Sequence, residues 1–181
     1  MTTISIIGSA GRGDDAKIIT KKRFENAVQL VENIITKSGY TWDKVILQSG
    51  GAAVMDHIAV ILAIKHKCRL NLCLPCKWHD HKYLDNGSDD WRLNPGRLAN
   101  KYHEAFSKIM GFNTFLQIEE ARPYITVYEG FHSRNKRVAQ CDIMIAITSS
   151  SGDSPERGGT LHTWGLCKSY KVHIPLLKIT E

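Results

Sequence analysis

Three short apolar runs, each leading into a glycine-bearing loop and then into residues of a helix pattern, constrain this chain more than any other feature. The first, "TTISIIGSA" (2–10), closes on Gly8, and after a polar loop Phe24, Ala27, Val28, Val31, Ile34 and Ile35 recur at three- and four-residue intervals over 23–38. Gly39 is a natural stop for that helix. The second, "KVILQSGG", leads into "AAVMDHIAVILAIKHK", where Val54, Ile58, Ile61, Leu62 and Lys65 stay in step. The third, "DIMIAITS", leads to Gly158-Gly159 and a helix expected over about 159–170. With the further runs "RLNLCLPC" and "KVHIPLLKI", strands alternate with helices along the chain. Such alternation requires crossovers that return over a sheet, and the apolar strands suit burial on both faces. The expected fold is α/β: a Rossmann-like, doubly wound, mainly parallel sheet with helices on both faces, spanning 1–181 as one domain.

The middle of the chain breaks the pattern. "KWHDHKYLDNGSDDWRLNPGR" is poor in aliphatic and rich in turn residues, which predicts a long insertion loop at about 77–93, outside the sheet. Asn94-Pro95 then opens a helix through Ala99, Tyr102, Ala105, Phe106, Ile109 and Met110, stopped by Gly111. A basic helix, "FHSRNKRVAQ", precedes the third run. The net charge of +6 favours anionic partners, but the basic residues are scattered, which suits a nucleotide as well as a nucleic acid. Five cysteines, an odd number in a chain of 181 residues, read as free thiols of a reducing compartment. No apolar run reaches eighteen residues and 1–9 lacks the phases of a secretion signal, so a cytoplasmic protein without a membrane partner is expected.

Glycine loops at the carboxyl edge of a parallel sheet are where ligands bind. The helix that follows each offers free N–H groups and a positive dipole end to an anion such as phosphate. In "GSAGRGDD", Gly8, Ser9 and Arg12 are candidate ligand contacts, although the spacing departs from the G-x-G-x-x-G dinucleotide fingerprint. In "SGGAAVMD", Ser49, Gly50 and Gly51 stand at a helix start with Asp56 on its second turn, where the carboxylate either takes a ribose hydroxyl or caps a neighbouring loop. In the third loop Gly158 and Gly159 clear side chains from a helix N-terminus, and Thr160 and Thr163 add hydroxyl donors to a phosphate cradle. The bland alternative there is an entry turn capped by Thr160. Ser149, at the end of the preceding strand, completes the set.

The ordered motifs "SGGAAVMDHIAVILA", "SRNKRVAQCDIMIAIT" and "GGTLHTWGLCKSYKVHIPL" resemble the SLOG superfamily of Rossmann-like proteins, which contains DNA-processing protein A (Smf) and the lonely-guy phosphoribohydrolases. They are nearest a small branch with the pattern strand-GGARGAD-helix, Arg-Asn on a helix, then strand and G-T-x-x-T. The resemblance implies a nucleotide, a nucleotide-derived ligand or single-stranded DNA as partner, and frequent homo-oligomers. It places Arg134 and Asn135 on the Arg-Asn of the helix, so that Arg134 either clamps a phosphate or belongs to a solvated basic face. In the lonely-guy motif P-G-G-x-G-T-x-x-E the glutamate supports cleavage of the base–ribose bond. Gly159 and Thr160 match the Gly-Thr, and Thr163 stands where that glutamate would be. A threonine supplies neither the acid/base group nor the charge, so an N-glycoside hydrolase or transferase would need another carboxylate, with Glu156, Glu129 and Asp56 as candidates.

A second cluster, "CLPCKWHDH", places Cys73, Cys76, His79 and His81 within one short span. Thiolates and imidazoles suit zinc, but four ligands this crowded leave the chain little room to turn around a metal. Trp78 or Trp91 of the same region can stack a base. The sequence therefore favours a protein that binds a nucleotide-type small molecule, for sensing or sequestration, and requires no other cofactor. The phosphoribohydrolase-like enzyme and single-stranded nucleic-acid binding stand as alternatives, the latter resting on the short basic stretch "FHSRNKR".

Overall fold

The structure is a computed structural model that describes residues 1–181. Its elements are β1 (Thr2–Gly8), α1 (Asp15–Ile18), α2 (Lys21–Lys37), β2 (Val45–Ser49), a 3-10 turn (Val54–His57) running into α3 (Ile58–His66), β3 (Arg69–Leu74), β4 (Trp78–His79), β5 (Lys82–Tyr83), α4 (Pro95–Met110), α5 (Thr114–Glu120), β6 (Tyr124–Val127), α6 (Gly130–Val138), β7 (Ile143–Thr148), α7 (Gly158–Leu166) and β8 (Tyr170–Pro175). Six strands form one sheet in the order β6-β3-β2-β1-β7-β8, every pairing parallel. From β1 the chain winds outward through β2, β3 and β6, then returns to the other side of β1 with β7 and β8. The loops after β1 and β7 therefore diverge, opening a crevice at the strands' carboxyl ends.

Strand alternation divides the core in two. Ile4, Ile6, Leu47, Leu70, Leu72, Leu74, Ile145 and Ile147 point to one face, packing with Phe24, Ala27, Val31 and Ile35 of α2 and with residues of α3, α4 and α5. Ile7, Cys73, Met144 and Ala146 point to the other, under Val138 of α6 and Cys167 after α7. This is the doubly wound Rossmann-like α/β arrangement. The second face also carries polar glue: Ser5 Oγ donates to Val138 O at 2.7 Å, and Gln48 Nε2 donates to Ser5 Oγ at 3.1 Å and Val138 O at 3.2 Å. These bonds fix the carboxyl end of α6, and with it the residues that α6 carries toward the crevice.

Helix boundaries follow local chemistry. Thr20 Oγ1 accepts from Arg23 N at 3.1 Å to cap α2. Asn94 caps α4 ahead of Pro95 at its first position, and Gly111 ends it in the left-handed region with φ +75°. Three segments differ from the sequence expectation. The 77–93 stretch is not a plain loop: β4 and β5 form a hairpin, and Tyr83 is buried in the main core. The helix expected from the second glycine loop begins instead as a 3-10 turn, and α7 ends at Leu166 because the chain must straighten into β8. The sequence reading also passed over α5 and β6, the latter a four-residue edge strand with no fully buried residue and therefore no apolar alternation to reveal it. No helix is long and apolar enough to cross a membrane.

Candidate functional site

The second glycine loop is held at every backbone polar group. Gly50 N donates to Asp56 Oδ2 at 3.1 Å, and Gly50 O accepts from Arg134 Nη1. Gly51 N donates to Ser49 Oγ at 3.0 Å, while Gly51 O accepts from both the Tyr83 hydroxyl and His103 Nε2, the latter at 2.9 Å. A Cβ at Gly50 would lie 2.0 Å from Arg134 Nη1. At Gly51, where φ is +70°, it would lie 2.5 Å from the Tyr83 hydroxyl. Both positions therefore exclude side chains for want of space. Just beyond, Val54 is held at φ +65°, a conformation that costs a β-branched residue on the order of 1–3 kcal/mol and that a surrounding network must impose.

Asp56 joins the first two loops. Its Oδ1 accepts from Gly8 N at 3.0 Å and its Oδ2 from Gly50 N, with Ala52 N adding a third backbone donor. Burial pushes the carboxyl's pKa up, opposed by the Arg134 charge and these amides. Asp56 ties the two loops together, the capping role open to it from sequence, and it also lines the cleft described below. Arg134 is buried, not part of a solvated face, and burial lowers its pKa while the Asp56 charge opposes. Its Nε has no hydrogen-bond partner. A buried donor left unpaired costs roughly 1–3 kcal/mol, a cost the folded chain carries at this position.

The third loop delivers an open helix end. No side chain caps α7, whose N-cap is Arg157, so the amides of its first turn stay free. The threonine hydroxyls expected to extend the cradle are already occupied: Thr160 Oγ1 donates to Gly8 O at 3.1 Å, linking the third loop to the first, and Thr163 Oγ1 donates to Gly159 O at 2.9 Å. A second link runs through Asp15, which accepts from Ser9 Oγ and pairs with Arg157 Nη2 at 3.2 Å.

These loops and α6 enclose a cleft of about 700 Å³. Among the residues selected from sequence, Gly8, Ser9, Arg12, Gly50, Asp56, Arg134, Asn135, Gly158, Gly159, Thr160 and Thr163 line it. Ser49 is buried behind the second loop, and Gly51 borders an inner recess of about 20 Å³, room for a water, shared with Arg12, Tyr102 and Arg134. Ser149 stands outside the lining, its Oγ 3.5 Å from Arg157 Nη2. Glu129 and Glu156 are exposed and do not reach the cleft. Trp91 lines the cleft; Trp78 does not, being packed against Tyr83 and donating from Nε1 to Glu119 at 3.1 Å. Sequence reasoning missed Asp15, Phe131, His132, Arg157 and His162 in the lining. Arg157 and His162 flank the glycine pair by one and three residues, a signal that was present; Phe131 is brought in only by the crossover from β6.

Cys73, Cys76, His79 and His81 do not converge. Cys73 is buried against α6, His79 is exposed on β4, and His81 Nδ1 contacts Glu119 Oε2 at 2.6 Å. No three His, Cys, Asp or Glu side chains are grouped to hold a metal ion. All five cysteines are free, the nearest pair being Cys141 and Cys167 with sulfurs 3.9 Å apart.

A parallel sheet with its cleft at the switch point defines a Rossmann-like α/β protein. Within that class the chain belongs to the family of protein R261 of Acanthamoeba polyphaga mimivirus, itself uncharacterised, to which it is 32% identical over 182 aligned residues, covering 96% of this chain and 95% of that one. No protein-family profile matches the chain. Among solved structures it is similar to DNA processing protein A (DprA) from Streptococcus pneumoniae, with 15% identity and a TM-score of 0.43; the alignment covers 91% of this chain and 46% of that one, so the chain spans less than half of that protein's length.

Proposed function

We propose that this protein binds a nucleotide or nucleotide-derived small molecule in the cleft at the carboxyl edge of the sheet. The observation that carries the reading is the convergence of three glycine loops and Arg134 on one cavity of about 700 Å³. That volume lies within the range of small-molecule sites. The uncapped N-terminus of α7 and the guanidinium of Arg134 suit phosphate. The SLOG-like order of motifs supports the same ligand class.

Binding without turnover is favoured over N-glycoside hydrolysis by the state of the carboxylates. Glu129 and Glu156 lie outside the cleft, Asp56 is engaged by backbone amides, and Asp15 is paired with Arg157 and Ser9. None of these four is placed to act as acid or base on a substrate, and Asp14, the other carboxylate of the lining, is an exposed group paired with Lys17 at 2.8 Å.

The test is a thermal-shift series with a nucleotide panel, followed by chromatography of the recovered ligand. A ligand at a hundred times its Kd stabilises by about 2.7 kcal/mol, which for a chain of this size raises Tm by roughly 5–10 °C. Gly159→Asp is the discriminating variant: a Cβ there meets nothing closer than Asn135 Nδ2 at 3.8 Å, so the fold tolerates it, while its charge opposes an anion. Stabilisation that disappears in Gly159→Asp, with the nucleotide recovered intact, is expected. Release of free base would overturn the binding reading.

A further inference from the structure

We propose that the base of the bound nucleotide stacks in the slot between Trp91 and Phe131, so that the cleft selects base-bearing mononucleotides over bare sugar phosphates. This rests on the nucleotide reading above and adds which part of the ligand is recognised, and by what.

The other three tryptophans are packed away from the cleft lining. Trp42 stacks on His66 with centroids 3.8 Å apart and planes 4° from parallel, Trp78 packs on Tyr83 and Phe115, and Trp164 lies under the Lys171 ammonium at 4.9 Å. Trp91 is 51% exposed at the cleft wall. The loop that carries it is nevertheless cross-linked: Arg97 binds Asp85 at 2.9 Å, and Asn94 Nδ2 donates to Asp85 Oδ1 at 2.6 Å and Ser88 O at 2.8 Å. A large apolar ring is thus presented by an anchored loop, as a stacking platform requires.

Phe131 is the opposing wall. Its ring centroid lies 6.1 Å from that of Trp91, with the planes inclined by 42°. A base between two rings needs about 7 Å, twice a carbon contact distance of ~3.5 Å. At this distance and tilt the two rings pack on each other, so a base enters by parting them by about 1 Å, through rotation of the half-exposed Trp91 side chain. Phe131 precedes Arg134 by three residues on α6, so the two share a face, and the guanidinium carbons of Arg134 and Arg12 lie 5.4 and 5.9 Å from the Phe131 ring. Base and phosphate recognition are then neighbours, as one nucleotide demands.

The experiment uses the full chain with AMP, UMP, ribose 5-phosphate and a single-stranded oligodeoxynucleotide, reading both thermal shift and tryptophan emission. AMP is expected to stabilise the protein and quench part of its emission, with ribose 5-phosphate binding more weakly and without quenching. Trp91→Ala should weaken AMP binding roughly 5- to 150-fold while leaving ribose 5-phosphate unchanged. Trp91→Phe should retain most of the affinity and lose the quench. Equal affinity of wild type and Trp91→Ala for AMP, or of AMP and ribose 5-phosphate for wild type, would refute the slot and leave the cleft reading intact. Tighter binding of the oligonucleotide than of AMP would replace the mononucleotide with a strand. If none of these compounds stabilises the wild type, slot and cleft reading both fall.

Discussion

Acidification should unfold this protein through two histidines buried beneath the second glycine loop. His57 and His103 are 1% and 0% exposed. His57 Nε2 donates to Gln117 Oε1 at 2.8 Å, which leaves Nδ1 unprotonated and without a partner. His103 donates from Nε2 to Gly51 O and accepts at Nδ1 from the Thr114 hydroxyl at 3.0 Å. A second proton on His57 has no acceptor waiting, and one on His103 Nδ1 would require the Thr114 hydroxyl to turn from donor to acceptor. Burial, reinforced at His57 by the neighbouring His103, pushes the two pKa values down from 6.5 to about 3 and about 4. Since the folded values lie below the unfolded one, their contribution is complete above about pH 6.5 and is lost progressively as the pH falls toward 4. At pH 5 each histidine costs about 2 kcal/mol, about 4 together, with a slope near 2.5 kcal/mol per pH unit. In a chain of this length that corresponds to a Tm roughly 8–16 °C below its value at pH 8. Urea unfolding at half-unit steps from pH 8 to 5 measures the slope, and His57→Gln and His103→Gln should each roughly halve it whatever they do to absolute stability. A slope below about 1 kcal/mol per pH unit, or one unchanged in both variants, would refute this account of the network.

Further outcomes follow from the same contacts. Gly50→Ala forces a methyl to 2.0 Å from the buried Arg134 guanidinium and should destabilise by about 2–4 kcal/mol in chemical unfolding, with loss of any nucleotide-induced shift. Tyr83→Phe removes one of two donors to Gly51 O; because His103 remains, the expected cost is only about 1 kcal/mol, and a loss above ~3 kcal/mol would show that the hydroxyl holds the loop alone. Burial raises the thiols of Cys68, Cys73, Cys76 and Cys141 to about 11, so a disulfide reagent at pH 8 should react slowly with these four in the folded protein, faster by about tenfold per pH unit, and at once after unfolding.

What the sequence reveals, and what it hides, follows the range of the interactions. Strands β1, β2, β3 and β7 and helices α2 and α4 are legible because each repeats an apolar pattern locally, with Asn94 and Gly111 marking the ends of α4 through short-range bonds; the cap of α2 at Thr20 emerges only from the fold. The three glycine loops are legible for the same reason. Their convergence with Arg134 follows from the winding order of a parallel sheet, which the alternation implies. Trp91, Phe131 and Tyr83 are different. Nothing within a few residues of Tyr83 announces that its hydroxyl will reach Gly51, thirty-two positions earlier. The 3-10 turn at Val54 was hidden because the Asp56 bonds to Gly8 and Gly50 set the local backbone against an otherwise helical pattern. Asp56 could be placed near the loops from sequence, but only the fold shows which amides its carboxylate holds.

The fixing of Gly50 and Gly51 at all four backbone groups bears on the entropy of whatever enters the cleft. A mobile glycine loop surrenders conformational freedom when it closes on a phosphate, on the order of 1–2 kcal/mol per residue ordered. Here that freedom is given up during folding, through Asp56, Arg134, Ser49, Tyr83 and His103. For a ligand bound in the cleft as proposed, the hairpin and α4 would thus act on affinity without touching it. Loosening Tyr83 or His103 should appear in calorimetry as a larger unfavourable entropy of association with little change in enthalpy.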